Sequence, residues 1–272
     1  MNAHITPDYS AIKVKQNAAW GSGDYAKVGV TLQICGEELA ETLDMKSDSR
    51  VLDVAAGNGN ATLAFARRWC DVTSTDFVGT LLEGGQVRAK VEGFNITFQE
   101  ADAENLPFRD GEFDAVVSTF GVMFTPNQQK SASELIRTCS SRGKIGLANW
   151  TPESFIGQLF KTIGKHVPPP PGVNSPALWG SAEWLEKTFG DHASSIEMTT
   201  KNFIFRYRSA DHFIEFFRNW YGPVQKAFQA LDENGQKSLR NDIAALLDQF
   251  NTAKDGSLRV PSEYVEVVIS KA

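Results

Sequence analysis

The chain has 272 residues, 42% of them hydrophobic, which is enough for a sizeable core in one large domain. Its formal net charge of −6 and its pI of about 5.3 leave no electrostatic footprint for nucleic acid, and no run of Lys or Arg suggests a membrane anchor. Three cysteines without a CxxC pair argue against a disulfide framework or a zinc site, and the apolar segments are too short for a signal peptide or a membrane span. We therefore expect a cytoplasmic protein, a monomer or a homodimer, without nucleic-acid or membrane partners.

Strand and helix patterns alternate over the first part of the chain. Apolar residues at spacings of three and four predict a helix over 26–45. The elements that follow are strand 50–55, helix 60–69, strand 71–75, helix 81–92, strands 95–99 and 113–119, helix 131–139 and strand 143–149. This alternation with short links predicts an α/β fold, a parallel sheet with helices on both faces.

The pattern changes after residue 150. Two helices, 152–167 and 182–189, flank a proline-rich stretch; strand 198–207, helices over 210–250 and a last strand, Tyr264–Ile269, complete the chain. We therefore expect four parts, which are an N-terminal arm or lid (1–25), a ligand-binding core (26–150), a helical lid (151–195) and a C-terminal part with inserted helices (196–272).

A glycine-containing turn follows the first strand of the core, between Val51 and Asn60. Gly57 and Gly59 lack a Cβ, so the backbone can lie against a ligand and adopt positive φ. The helix that follows offers its free N–H groups. Alone, this turn indicates a nucleotide-like ligand, or a tight connection without one.

Two acidic residues follow the next two strands. Asp76 lies 19 residues after Gly57, where a carboxylate accepts hydrogen bonds from both ribose hydroxyls. Asp102 can accept from an adenine amino group, while the N–H of Ala103 meets a ring nitrogen. Each could singly be a solvated loop acid, but three ligand-facing positions at successive strand ends favour a nucleoside cofactor.

These motifs, in this order over roughly residues 20–150, resemble the class I S-adenosylmethionine-dependent methyltransferases, in particular the group of ubiquinone and menaquinone C-methyltransferases. Leu106–Phe108 and Phe113–Asp114 match a characteristic stretch before the fourth strand. The resemblance implies a Rossmann-like mixed sheet of seven strands, the last antiparallel, with a helical cap. It implies S-adenosyl-L-methionine as cofactor, S-adenosyl-L-homocysteine as product, and a cofactor site made of Trp20, Tyr25, Asp53, Ala55, Gly57, Asn58, Gly59, Asp76, Phe77, Asp102, Ala103 and Ser118. Ala55 stands where the commonest pattern has Gly.

Three alternatives stay open. A nicotinamide dehydrogenase would want Gly or Ala where this chain has Thr62, and its Tyr-xxx-Lys, here Tyr9 to Lys13, lies before the turn in an arm we expect to be flexible. A protein of the same fold could bind S-adenosylmethionine without turnover, or use it in a reaction such as a cyclisation.

Methyl transfer needs a pocket for the acceptor. It also needs a base where the acceptor's nucleophilic O, N or C atom must lose a proton. We expect a small-molecule acceptor above the ends of the fourth and fifth strands, in contact with Phe120, Met123, Phe124 and Trp150 and closed by the lid 151–195. The candidate bases are His166, His212 and Tyr221, although aromatic residues at helical spacing also fit a plain core. No metal cluster is visible, so we expect no metal dependence.

Overall fold

The computed structural model describes residues 7–272 and places seven strands in one mixed sheet. The strands are β1 (Arg50–Val54), β2 (Asp71–Asp76), β3 (Thr97–Glu100), β4 (Phe113–Thr119), β5 (Cys139–Trp150), β6 (Ala193–Tyr207) and β7 (Leu258–Lys271). Their order is β3-β2-β1-β4-β5-β7-β6. The pairs from β3 to β5 are parallel, and β7 is antiparallel to both of its neighbours, so six strands share one direction. The predicted sheet, with its last strand antiparallel, is confirmed.

Helices cover both faces of the sheet and its carboxyl end. They are α1 (Tyr9–Trp20), α2 (Tyr25–Gly29), α3 (Gln33–Leu43), α4 (Asn60–Ala66), α5 (Gly79–Glu92), α6 (Gln128–Thr138), α7 (Phe155–His166), α8 (Ala182–Phe189), α9 (Ala210–Trp220), α10 (Gly222–Gln229) and α11 (Glu233–Phe250). Short 3-10 helices span Val30–Leu32, Val122–Phe124, Pro176–Gly180 and Gly190–His192. None of the helices among residues 7–272 is both long and apolar enough to cross a bilayer.

The sheet separates two apolar clusters, because successive side chains of a strand point to opposite faces. Val51 and Val117 pack with α3 and α4 on one face. Leu52 and Val116 pack with α6 on the other, in a larger cluster that continues under the cap helices α7, α9, α10 and α11. Strands buried on both faces account for the near-continuous apolar runs in the sequence.

The helix predicted over 26–45 is divided into α2, a 3-10 turn and α3. The Asn60 side-chain amide donates a hydrogen bond to the carbonyl of Gly29 at 2.6 Å. The Gln33 N–H, which would bond to that carbonyl in a regular α-helix, donates to the Val30 carbonyl instead. The regular helical bond at this point is therefore replaced by a contact with the binding turn, which the local apolar pattern cannot show.

The expectation of a flexible arm around Tyr9 to Lys13 is wrong, because this segment forms the first part of helix α1. Asp8 caps the helix by accepting a hydrogen bond from the Ala11 N–H at 3.0 Å. No α1 residue is buried, so the segment lacks the apolar face by which amphipathic helices are predicted.

A charge cluster around the buried Glu266 ties α3 to β6 and β7. The Glu266 side chain, 1% exposed, lies 2.9 Å from the ammonium of Lys201. The Thr42 hydroxyl donates to Glu266 at 2.7 Å, and the Tyr264 hydroxyl donates to Glu38 at 2.7 Å. The cluster therefore fixes the antiparallel end of the sheet against the helix beside the binding turn.

Replacing Lys201 should destabilise the fold. In Lys201→Met the Glu266 carboxylate stays buried without its cation, and we expect the free energy of unfolding to fall by about 3 kcal/mol in denaturant titrations. The double variant Lys201→Met/Glu266→Gln removes the charge as well and should recover most of that loss. A single variant as stable as the parent would contradict this role of the ion pair.

Candidate functional site

A large cavity lies at the carboxyl ends of β1, β2, β3 and β4, where the strand order reverses. It encloses about 910 Å³, including the space at its mouth. Ligands of open α/β sheets bind at such a switch point. From the predicted cofactor site the structure brings together Trp20, Tyr25, Ala55, Gly57, Asn58, Asp76, Phe77, Asp102 and Ala103.

Two strand ends beside this cavity have strained backbone. Ala55 after β1 and Phe120 after β4 have φ of +53° and +54°, a conformation that non-glycine residues rarely adopt. Gly121 allows them to approach, since a Cβ there would lie 2.2 Å from the Ala55 carbonyl oxygen. Strain of this kind concentrates at ligand sites.

Asp53 does not line the cavity but supports the binding turn from its buried side. Its Oδ2 accepts from the N–H of Thr62 at 2.8 Å and from the Thr62 hydroxyl at 2.6 Å. Burial raises the pKa of Asp53 to about 7. The Thr62 side chain is thus part of the turn's support, which explains a threonine where a dinucleotide fingerprint has Gly or Ala.

Asp76 lies at the wall of the cavity itself. Its Oδ2 accepts from the Gly57 N–H and its Oδ1 from the Val78 N–H, both at 2.9 Å. Burial raises the pKa of Asp76 to about 6, against the opposite effect of these N–H donors. The remaining lone pairs of this carboxylate can accept from the hydroxyls of a ribose.

Helix α1 crosses the mouth of the cavity and is held by polar bonds. The Lys13 ammonium lies 2.7 Å from Asp102 and 3.0 Å from Glu104. Farther along α1, the side-chain amide of Gln16 donates to the Phe124 carbonyl at 2.9 Å, and that of Asn17 donates to the Phe77 carbonyl at 2.6 Å. Lys13 and Gln16 also line the cavity. The sequence does not predict them as site residues, because an exposed polar helix has no periodic pattern of apolar residues by which it can be recognised.

A second, smaller cavity of about 300 Å³, including the space at its mouth, adjoins the first and shares four lining residues with it. It is lined by Tyr25, Val28, Leu32, Phe120, Phe124, Trp150, Ile156, Phe205, Phe217 and Tyr221. Three of the predicted acceptor residues, Phe120, Phe124 and Trp150, therefore meet at one place, with Phe120 and Trp150 stacked at 4.1 Å. Of the predicted lid 151–195, only Ile156 lines either cavity.

Three predicted residues lie behind the cavities. The Ser118 hydroxyl donates to the Val54 carbonyl at 2.7 Å and accepts from the Val122 N–H, which joins the ends of β1 and β4. Met123 is buried in the core, and Gly59 is the N-cap of α4, with φ of +82°. None of these three lines either cavity.

The candidate bases are dispersed. His166 pairs with Asp242 at 2.7 Å, and His212 accepts a hydrogen bond from the Arg208 N–H at 3.3 Å; neither lines either cavity, so neither reaches a proton on an acceptor bound there. Tyr221 lines the second cavity, but burial raises its pKa well above the usual value. Its phenol is therefore protonated at neutral pH and suited to donating a hydrogen bond.

The chain is similar to known methyltransferases. A family model described as "Methyltransferase domain" matches residues 51–143. An uncharacterized protein of Mycobacterium tuberculosis is 38% identical over 232 residues, 84% of this chain and 85% of the relative. A demethylmenaquinone methyltransferase of Thermus thermophilus is 31% identical over 128 residues, 46% of this chain and 58% of the relative. The crystal structure of the Bacillus subtilis YcgJ protein superposes with a TM-score of 0.61 at 18% identity, over 87% of this chain and 98% of that one.

Ligand binding should depend on the charge of Asp76. Its carboxylate must be ionised to accept from ribose hydroxyls as well as from two N–H groups, and its pKa without ligand is raised to about 6. The affinity for S-adenosylhomocysteine, measured by calorimetry, should be constant above pH 6 and fall up to about tenfold per unit below it. Asp76→Asn should bind weakly and without this dependence; a wild-type affinity that is flat from pH 5 to 8 would refute the assignment.

Removing the Lys13 ammonium should loosen α1. Because α1 lines the cavity, breaking its ion pairs with Asp102 and Glu104 should ease the exit of a bound nucleoside. In Lys13→Met we expect S-adenosylhomocysteine to dissociate about three to ten times faster in stopped-flow displacement. Lys15→Met removes an exposed lysine of the same helix and serves as the control; equal rates for both variants would show that Lys13 does not hold the helix.

Proposed function

We propose that this chain, which belongs to the class I S-adenosylmethionine-dependent methyltransferases, transfers the methyl group to a small-molecule acceptor. The observation that carries the proposal is the pair of adjoining cavities, one with the polar groups a nucleoside needs and one lined by apolar and phenolic side chains.

The residues of the first cavity fit S-adenosylmethionine. Asp76 is a buried carboxylate whose hydrogen bonds within residues 7–272 come from backbone N–H groups, so it can still accept from the ribose diol. At Gly57 a Cβ would lie 3.4 Å from the Tyr25 ring and fill the space between turn and ring. Phe77 and Ala103 complete the wall where the resemblance places the adenine.

The chain itself has to align and enclose the reactants. When bound, S-adenosylmethionine supplies a methyl group that its sulfonium makes electrophilic. Tyr25, Leu32, Phe120 and Phe124 line both cavities and therefore lie where the two adjoin, so their apolar surfaces can exclude water there. The protonated Tyr221 phenol can hold an acceptor oxygen by donating a hydrogen bond, and it orients the acceptor without removing its proton.

The cover that α1 forms over part of the first cavity supports a small acceptor over a polymer. α1 is bonded across the opening to the loops after β2, β3 and β4 through Asn17, Lys13 and Gln16. The net charge of −6 likewise disfavours RNA and DNA. The Thermus relative, which covers about half of this chain, is named for methylating demethylmenaquinone, a small molecule.

Label from methyl-tritiated S-adenosylmethionine should enter small molecules. With a bacterial extract separated by ultrafiltration, we expect the purified protein to label only compounds in the low-mass fraction, because α1 covers part of the first cavity and leaves little room for a polymer. Label in the RNA or protein fraction would contradict the small-molecule assignment. Failure of both S-adenosylmethionine and S-adenosylhomocysteine to bind at high micromolar concentration in calorimetry would contradict the cofactor.

Two glycine variants provide the matched comparison. Gly57→Ala and Gly93→Ala add the same Cβ at a positive φ, +58° and +77°, but only Gly57 lies in the cavity, and a Cβ at Gly93 meets nothing within 4 Å. Both should lose about 1 kcal/mol of stability from backbone strain. Only Gly57→Ala should lose labelling and at least tenfold in S-adenosylhomocysteine affinity.

A further inference from the structure

Exposed apolar side chains are concentrated on one side of the molecule. Within residues 7–272, the large apolar residues that are exposed are Val14, Val30, Ile34, Trp69, Val87 and Val91. All except Val14 lie on α3, on α5 or directly beside these helices, since the Trp69 ring lies 6.2 Å from that of Phe94 at the end of α5. Single exposed apolar residues are common in proteins, but a group of this kind indicates an interaction surface.

Polar contacts place α3 and α5 side by side. The Arg88 guanidinium on α5 donates to the side-chain oxygen of Gln33 on α3 at 3.1 Å. One turn farther along both helices, Arg67 pairs with Glu37 of α3 and, at 2.6 Å, with Glu92 of α5. The two helices therefore run parallel, and their outer sides form one surface. We call this surface, with the exposed side chains of Val30, Ile34, Val87 and Val91, the α3–α5 face.

Helix α5 is apolar on its outer side as well as on its inner side. Leu81, Leu82 and Ala89 are buried. Val87 and Val91, one turn apart, are 64% and 82% exposed. A helix that only covers a sheet has a polar outer side. The two outer valines therefore indicate that a further surface packs on α5.

The charges around the α3–α5 face cancel. Apart from Glu38, which belongs to the charge cluster around Glu266, the charged residues of α3, α5 and the turn after α4 are Glu37, Glu41, Glu83, Glu92, Arg67, Arg68, Arg88 and Lys90. Four acidic and four basic side chains leave no net charge here, although the whole chain carries −6. A strongly charged partner finds no complement on this face, whereas a second copy of the chain meets no net repulsion.

Two charges of α5 complement each other across a two-fold axis. Glu83 and Lys90 are exposed and lie two turns apart on the same side of the helix, with Val87 between them. Neither side chain forms an ion pair within residues 7–272. If two α5 helices pack antiparallel with Val87 near the axis, each Glu83 lies opposite Lys90 of the partner subunit. The exposed side of α5 is therefore complementary to itself.

We propose that two copies of this chain associate through the α3–α5 face. Their α5 helices are antiparallel, with Val87 near the two-fold axis and Glu83 paired with Lys90 of the partner subunit. Removing the apolar residues of the face from water favours the association. Neither the residues of the face nor Glu83 and Lys90 line the two cavities, so this surface is separate from the site already described.

Sedimentation equilibrium of the full chain tests the association itself. The monomer has a mass of 29.9 kDa. We expect twice this mass at a protein concentration of about 100 μM, since interfaces of moderate size bind at micromolar or lower concentration. The monomer mass at this concentration would overturn the proposal.

Matched valine variants locate the interface. Val87→Glu places two carboxylates near the axis and should weaken the dimer about tenfold or more. Val14→Glu makes the same change at a valine of α1 that is 70% exposed, and the dissociation constant should stay within about twofold of that of the unmodified protein. Equal dissociation constants for the two variants would refute the assignment to the α3–α5 face.

Charge reversal tests the antiparallel arrangement. Glu83→Lys alone and Lys90→Glu alone each bring like charges together at both contacts and should weaken the dimer about tenfold. In an equimolar mixture of these two variants, both contacts again join opposite charges, so mixed dimers should form about as tightly as the unmodified dimer. The double variant Glu83→Lys/Lys90→Glu should likewise regain its affinity. Single variants that dimerise normally, or a mixture that stays monomeric, would contradict the proposed pairing, and circular dichroism of each variant serves as the control for folding.

Discussion

Two buried carboxylates fix the binding turn on which the rest of the site depends. Asp53 holds Thr62 at the start of α4, and Asp76 holds the N–H of Gly57 at the middle of the turn. Burying a carboxylate is unfavourable, and this raises the pKa of both, to about 7 and about 6. The hydrogen bonds offset part of that cost, and the turn is thereby held open with its backbone exposed to a ligand.

The binding turn also determines where α1 can dock over the cavity. Once β1 and β2 end at fixed points, the loops after β2 and β4 present the carbonyls of Phe77 and Phe124 at the cavity mouth. α1 bonds to these two carbonyls through Asn17 and Gln16, and to Asp102 through Lys13. α1 has no buried residue. It can nevertheless dock, because the polar groups to which it bonds are held in place by the ends of the strands.

Local patterns predict the parallel strands and the acidic strand ends, and the family resemblance adds the antiparallel last strand. Neither predicts the contacts that depend on distant partners. The strand 113–119 was predicted with its observed bounds, and Asp76 and Asp102 line the cavity as expected. α1 was missed, since Gln16 and Phe124 are 108 residues apart in sequence. Likewise, residue type alone suggested His166 as a base, whereas the fold pairs it with Asp242 on another helix.

Trp20 links the closure of the first cavity to the wall of the second. It is the last residue of α1, and its ring makes edge contacts with Tyr25, Phe124 and Tyr221 at 5.4, 5.0 and 5.6 Å. All three partners line the second cavity. The ion pair of Lys13 with Asp102 and the ring contacts of Trp20 therefore hold the same helix at two points. The docked helix contributes its own residues to the first cavity and supports the second through the three rings that Trp20 contacts.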